Sequence, residues 1–336
     1  MGSSENVDRI ANPWGARTAF AAAGDWPARL DQHLTVHETE VERWVPSACV
    51  LCSNGCGLDI AVKDGRAVGV RGRVSDRVNF GRLGPKGLYG WQGINAPGRL
   101  KTPMVRQDGR LRETDWDTAM ELVVGRTRET MREKGPLALG FYTTGQLFTE
   151  AYYTLAVIAR AGIGTPHLDG NTRLCTATAE YALAETFGCD GQPGSYDDFD
   201  ACDALFLVGH NLAETQTVLW ARVLDRLEGP DPPRLIVVDP RRTPTAARAD
   251  LHLAIRGGTN VALLNGILNQ LIEKGHVNRE WVAAHTVGYE KLERVVADYP
   301  AQRVAEICGI PVEQVHEAAR ILGESERLVS TVLQGV

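Results

Sequence analysis

Ser47-Ala48-Cys49-Val50-Leu51-Cys52-Ser53-Asn54-Gly55-Cys56-Gly57 places three thiols within eight residues and then runs into a strand-like stretch. Thiolates at this density normally share one inorganic partner. A structural zinc site needs four ligands, usually two CxxC pairs. The next cysteine after Cys56 is Cys175, so there is no second pair. A C-x2-C-x3-C run is the compact spacing that wraps three corners of an iron-sulfur cube, with Gly55 and Gly57 letting backbone amides approach the sulfides. The spacing favours a cluster over zinc or a trio of buried thiols.

Working outward, Leu58-Asp59-Ile60-Ala61-Val62 and Arg66-Ala67-Val68-Gly69-Val70 flank Asp64-Gly65, a hairpin signal because a tight primed turn demands positive φ. The cysteines are therefore expected on a loop beside a small sheet. Upstream, residues 1–45 are broken by Pro13, Gly15, Gly24 and Pro27 and read as an extended N-terminal arm. Downstream, Gly81, Gly84, Gly87, Gly90, Gly93 and Gly98 imply backbone wrapped closely around something.

The texture then changes to alternating elements. A helix capped by Thr114 or Asp115 is expected to run to about Glu133, with a strand over Leu137 to Tyr142 and helices over Leu147 to Ala161 and Thr176 to Phe187. Strands at Ala204 to Val208 and Leu235 to Val238 bracket a helix from Thr215 to Leu227. Further helices are expected near 260–274, 278–299 and 311–322, and a last apolar strand starts at Leu328. Strand-helix-strand repetition of this kind signals a parallel sheet. The expected domains are the arm (1–45), an iron-sulfur domain (46–103) and an α/β region (104–336). Because the chain stops on an apolar strand, it reads as incomplete.

The chain has 336 residues, 43% of them hydrophobic, and a formal charge of -6 from 36 basic and 42 acidic residues. That balance argues against a nucleic-acid partner. No run of 18 apolar residues and no basic-then-apolar leader occur, so a cytoplasmic protein without membrane contact is expected. Seven cysteines, an odd number with four scattered singly, do not form a disulfide framework.

The cysteine trio, the hairpin and Asn79-Phe80-Gly81-Arg82-Leu83-Gly84-Pro85-Lys86-Gly87 resemble the N-terminal iron-sulfur domain of the molybdopterin oxidoreductases, the DMSO reductase superfamily. In that family the last stretch usually ends Leu-Cys-x-Lys-Gly, and its cysteine is the fourth cluster ligand. Here that position is Gly84. Three outcomes follow: a 3Fe-4S cluster on Cys49, Cys52 and Cys56, a 4Fe-4S cluster whose fourth iron takes water, Asp76, His33 or His37, or no cluster, the first two being favoured. The resemblance also implies that Lys86 couples cluster and pterin.

A second block, Gly170-Asn171-Thr172-Arg173-Leu174-Cys175, resembles the turn whose last residue ligates molybdenum in this family. A soft thiolate suits a metal already held by dithiolene sulfurs. Formate dehydrogenases of this group place a histidine directly after that ligand. This chain has Thr176, which favours the assimilatory and periplasmic nitrate reductase branch, where cysteine is used without that histidine.

Phe206-Leu207-Val208-Gly209-His210-Asn211 and Val237-Val238-Asp239-Pro240-Arg241-Arg242-Thr243 put small, acidic and basic groups just past core strands, where open parallel sheets bind ligands. By resemblance, Gly209, Asn211, Asp239, Arg241 and Thr243, with Gly258, Thr259 and Asn260, hold a molybdopterin guanine dinucleotide, one of two on the molybdenum. Relatives often carry aspartate at the position of Asn260. The resemblance implies an enzyme that passes electrons from a donor protein through the cluster to molybdenum and reduces an oxyanion such as nitrate. A formate dehydrogenase-like enzyme is the alternative. A molybdenum-free scaffold, like the molybdoenzyme-like subunit of respiratory complex I, is the third reading.

Overall fold

The computed structural model describes residues 10–18, 20 and 26–332. Strands β1 (Gln32–Leu34), β2 (Arg43–Ala48), β3 (Gly57–Lys63) and β4 (Arg66–Gly72) form an antiparallel sheet in the order β1-β4-β3-β2. The β3-β4 turn has Asp64 at φ 50 and Gly65 at φ 68, the positive pair a primed turn requires. The expected arm proves more ordered than its composition implied. Gln32–Leu34 satisfies the open edge of β4, whose amides and carbonyls would otherwise lack partners.

The glycine-rich stretch wraps around that arm. Arg29 N donates to Phe80 O and Asp31 N to Gly81 O, both at 2.9 Å, while the Asp31 carboxylate accepts from Leu83 N at 3.0 Å. Gly81 has φ 82, and a Cβ there would lie 2.0 Å from Arg29 O, so a side chain is excluded. Helix α1 (Pro85–Tyr89) follows.

A second hairpin, β5 (Met104–Gln107) and β6 (Arg110–Glu113), leads into α2 (Trp116–Lys134). The Asp115 carboxylate caps this helix by accepting from Thr118 N at 2.7 Å. The strand expected from Leu137 is shorter and later: Gly135 (φ 80) and Pro136 force a tight turn first, and β7 is Phe141–Thr143. It pairs in parallel with β8 (Leu168–Gly170), apart from the main sheet. Between them α3 (Thr149–Ala156) widens into a π-helical turn ending at Ile163. Helices α4 (Thr172–Cys175) and α5 (Ala177–Phe187) complete this layer. Between Trp91 and Phe199 only Ala159, Thr165 and Gly170 are buried.

The α/β unit begins with α6 (Asp198–Ala201), β9 (Ala204–Val208), α7 (Leu212–Thr215), α8 (Thr217–Leu227), β10 (Arg234–Val238) and β11 (Leu251–Leu253). Helices α9 (Asn260–Glu273), α10 (Arg279–His285), α11 (Tyr289–Val296), α12 (Ala301–Cys308) and α13 (Val312–Glu324) lead to β12 (Leu328–Val332). The helix expected over 278–299 is two helices, because Gly288 breaks it at φ 81. The sheet runs β11-β10-β9-β12, all parallel, so the chain reverses its direction of strand addition at β9.

Alternation along the strands divides the core. Phe206, Val208, Ile236 and Val238 pack against Leu263 and Ile267 of α9, Val304 of α12 and Val315 of α13. Leu205, Leu207, Leu235 and Val237 pack against Leu219, Trp220 and Val223 of α8. Val218 and Ala221, on another side of α8, join Cys56, Leu58, Leu83 and Trp26 in the core of the N-terminal domain. Helix α8 therefore belongs to two cores, and every residue from Val218 to Arg226 is buried.

Two of the three charges this buries are paired, while Arg226 donates to backbone carbonyls of Asp200, Asp231 and Cys202. Arg222 donates from Nε to Asp200 Oδ1 (2.6 Å) and from Nη2 to Asp200 Oδ2 (2.5 Å), a bidentate clamp onto α6. Asp225 accepts from Trp26 Nε1 (3.0 Å) and Thr18 N (2.8 Å), with Arg17 Nη1 at 3.4 Å. The arm is thus pinned to α8 by one buried carboxylate.

Candidate cofactor sites

Cys49, Cys52 and Cys56 border one cavity with Leu83, Gly84, Pro85, Lys86 and Gly87 on one side and Thr215, Thr217 and Val218 on the other. The loop is closed by Cys49 N donating to Cys56 O at 2.9 Å and turns through Ser53 (φ 55) and Gly55 (φ 83). Among the described residues no three His, Cys, Asp or Glu side chains converge as a single metal ion would need. Thiols spread around a cavity suit a polynuclear cluster, with one iron per sulfur, better than tetrahedral zinc.

Burial pushes the Cys49 and Cys56 thiols above the usual range. For Cys56 the neighbouring Cys52 and Cys49 add to the effect, and the Asn54 amide opposes it. Such thiols resist ionising on their own, and a cationic metal centre is what would offset that cost. Lys86 lines the cavity and donates from Nζ to Leu51 O at 3.5 Å.

Gly84, the position expected to carry the fourth ligand, lines the same cavity. A Cβ at Gly84 would lie 3.3 Å from Thr217 Cβ and 3.6 Å from Thr217 Oγ1. None of the three alternative ligands named from the sequence lines the cavity. The Asp76 carboxylate is turned to Val78 N, His33 is stacked edge-on against Tyr89, and His37 caps the turn at Glu38–Glu40. Each is committed to local structure.

Cys175 is exposed and is the last residue of α4, two positions before α5 starts. Its amide donates to Asn171 O at 3.1 Å, and Arg173 pairs with Asp169 at 2.9 Å. One loop ties this turn to the cysteine trio. Gly145 N donates to Asn171 Oδ1 (2.9 Å), and the next residue, Gln146, donates from Nε2 to Val50 O (3.1 Å). Neither Asn171 nor Gln146 stood out in the sequence, because their roles depend on partners 26 and 96 positions away.

The remaining candidates gather beyond the carboxyl ends of adjacent parallel strands. Gly209 (φ 58) and Asn211 follow β9; Asp239, Arg241 and Thr243 follow β10; Gly258 (φ 84), Thr259 and Asn260 follow β11. Asn211 Oδ1 accepts from Thr245 Oγ1 at 2.8 Å, joining the first two loops. Asp239 Oδ1 caps Arg241 N at 2.8 Å, and Thr243 Oγ1 accepts from Ala246 N at 3.1 Å. The 14-residue helix α9 opens without a side-chain cap beside an exposed Arg256 and the unobstructed Gly258. A helix start without a side-chain cap and with a guanidinium nearby suits a phosphate.

His210, passed over in the sequence, bridges the point where strand order reverses. Its Nδ1 lies 2.9 Å from Thr331 Oγ1 on β12 and its Nε2 3.1 Å from Gln216 Oε1; burial lowers its pKa. The loop also runs straight into the cluster cavity, since Thr215 Oγ1 donates to Asn211 O (2.9 Å) and Thr215 lines that cavity. A set of strand-end loops at a topological switch point, where open parallel sheets bind ligands, therefore borders a three-thiol pocket.

That pairing defines a class of cofactor protein, and sequence comparison gives the family. Residues 42–96 match the molybdopterin oxidoreductase Fe4S4 domain and residues 99–328 the molybdopterin oxidoreductase domain. The chain belongs to the molybdopterin oxidoreductase family, whose domains carry an iron-sulfur cluster and molybdopterin-bound molybdenum.

The chain is 35% identical to a nitrate reductase of Symbiobacterium thermophilum over 94% of its own length and 43% of the relative's. It is 35% identical to the periplasmic nitrate reductase of Desulfovibrio desulfuricans, covering 88% and 40%. It is 33% identical to the F420-dependent formate dehydrogenase 1 subunit alpha of Methanococcus maripaludis, covering 84% and 41%. Among solved structures, acetylene hydratase from Pelobacter acetylenicus superposes with a TM-score of 0.72 at 25% identity, covering 86% of this chain and 40% of that one. The chain thus spans about two fifths of the length of the relatives it matches.

Proposed function

We propose that this chain carries the electron-entry and first dinucleotide sites of a molybdenum oxidoreductase that reduces nitrate to nitrite. The observation that carries the reading is the Cys175 turn, tied through Asn171 and Gln146 to the cysteine trio, with Thr176 next in sequence. Two relatives named as nitrate reductases, at 35% identity, support it. The formate dehydrogenase at 33% identity keeps formate oxidation as the second reading, which the missing histidine after Cys175 opposes. An intact Cys175 turn beside assembled dinucleotide loops weighs against a scaffold.

When bound, molybdopterin supplies the two-electron redox chemistry. The protein's part is to hold and to insulate. Cys49, Cys52 and Cys56 would ligate the cluster, with no fourth thiol lining their cavity among the described residues, Lys86 would place a positive charge beside it, and Cys175 would offer a soft ligand to the molybdenum. Gly209, Asn211, Asp239, Arg241, Thr243, Gly258, Thr259 and Asn260 frame the dinucleotide. Electrons come from a donor protein or reductase subunit, and two electrons with two protons convert one nitrate to nitrite and water.

No described helix is long and apolar enough to cross a membrane. No disulfide links the cysteines, which suits a reducing cytoplasmic setting.

The test is reduction of nitrate by reduced viologen in the complete, molybdenum-loaded protein, with formate oxidation assayed beside it. Nitrate turnover is expected, and Cys175→Ala is expected to abolish it while cluster iron remains. Formate turnover alone, or full nitrate turnover in Cys175→Ala, overturns the reading.

A further inference from the structure

The proposed cluster loop contains one polar side chain that points inward. Asn54, between Cys52 and Cys56, is only 3% exposed, and its Nδ2 lies 3.4 Å from Cys56 Sγ in a hydrogen bond. The rest of the residue is held from outside the loop. Its Oδ1 accepts from Leu219 N in the first turn of α8 at 3.2 Å, and its carbonyl accepts from the Tyr196 hydroxyl at 3.0 Å. Those anchors lie 165 and 142 positions away in the chain. The amide therefore cannot swing from the sulfur without breaking a buried contact to a helix shared by two cores.

An N–H aimed at a ligating sulfur has a definite redox consequence. Reduction adds negative charge to the cluster and its thiolates, and a hydrogen-bond donor stabilises the more negative state, so it raises the potential. A buried setting strengthens the effect, because no water competes for the sulfur.

We infer that Asn54 is a positioning residue that sets the potential of the iron-sulfur cluster, holding it higher than three thiolates in this apolar pocket would alone, and that α8 fixes its strength. The inference rests on assigning the cluster to Cys49, Cys52 and Cys56. It gives the side chain two separable jobs: Oδ1 docks the loop on α8, and Nδ2 tunes Cys56.

The experiment is a redox titration followed by EPR on the iron-loaded protein, with iron quantified in each sample. Asn54→Leu, which keeps the side chain's size and removes the donor, is expected to retain iron and titrate at a clearly lower potential. Asn54→Ser, whose hydroxyl can still donate, is expected to fall between Leu and wild type. An unchanged potential in an iron-replete Asn54→Leu protein overturns the inference. Should Asn54→Leu lose its iron, the wild type decides: with side-chain 15N-asparagine, pulsed EPR is expected to show a nitrogen coupling to the cluster in its half-integer-spin state that is absent from Asn54→Ser. No such coupling overturns it equally. Wild type without iron would instead refute the ligand assignment, a different failure.

Discussion

The cysteine loop and the Cys175 turn are the two sulfur sites proposed to meet a cofactor, and they differ in everything around that sulfur. Cys56 is 3% exposed in a core that draws on α8, and its loop is fastened by Asn54, Tyr196 and Leu219. Around Cys175 the apolar neighbours stand open, with Leu174 93%, Tyr181 68% and Phe187 57% exposed. Both regions come from similarly apolar sequence. The difference is that the cluster pocket finds its second wall within this chain, while the layer from β5 to α5 has apolar side chains with no described residue to cover them. One candidate site is walled on both sides by described residues; the other is not.

The largest break in that contrast comes from the cluster side. Cys56→Ala removes a proposed ligand, and beyond Cys49 and Cys52 the residues lining the pocket offer no thiol, imidazole or carboxylate in its place. Iron in the purified protein, quantified by colorimetric chelation, is expected to fall to background. Hydrogen exchange then compares the regions directly. Amides of β9 and α8 are expected to exchange only through global opening, and those of α2 and α5 orders of magnitude sooner. Equal protection would mean that the open layer is stable by itself.

A smaller effect probes how the arm is held. Asp225→Ala strips a buried carboxylate from Trp26, Thr18 and Arg17. It is expected to lower the unfolding free energy by about 3 kcal/mol in urea denaturation, as for other broken buried pairs. The smallest effect belongs to His210. Burial lowers its pKa, so the unfolded chain binds the proton more readily, and the stability from its neutral form is full above the unfolded value and lost as pH falls through the folded one. His210→Gln is expected to flatten that part of the melting temperature against pH, leaving melting at pH 8 nearly unchanged.

Much of the fold was legible because its signals are local. The bounds of β9 came directly from an unbroken apolar run, and Asp64-Gly65 announced its hairpin. The same Asp-Gly signal at Asp108-Gly109, with φ of 50 and 76, was overlooked because its flanking strands are short and exposed. Strand β1 was invisible for another reason: three residues pair only because β4 offers an edge. For the candidate sites, spacing marked the thiol trio, and strand ends marked the loops proposed to hold a dinucleotide. Asn54, Asn171, Gln146 and His210 were illegible, since each acts through a partner brought near only by folding.

Helix α8 carries a consequence for how such proteins can be rebuilt. Its Val218 and Ala221 are side chains of the N-terminal core, yet they lie over a hundred positions beyond that domain's last strand. The iron-sulfur domain is therefore not a portable cassette. A version cut at residue 103 would leave behind one wall of its own pocket, and a chimera that swaps the domain must bring α8 with it or redesign the seam.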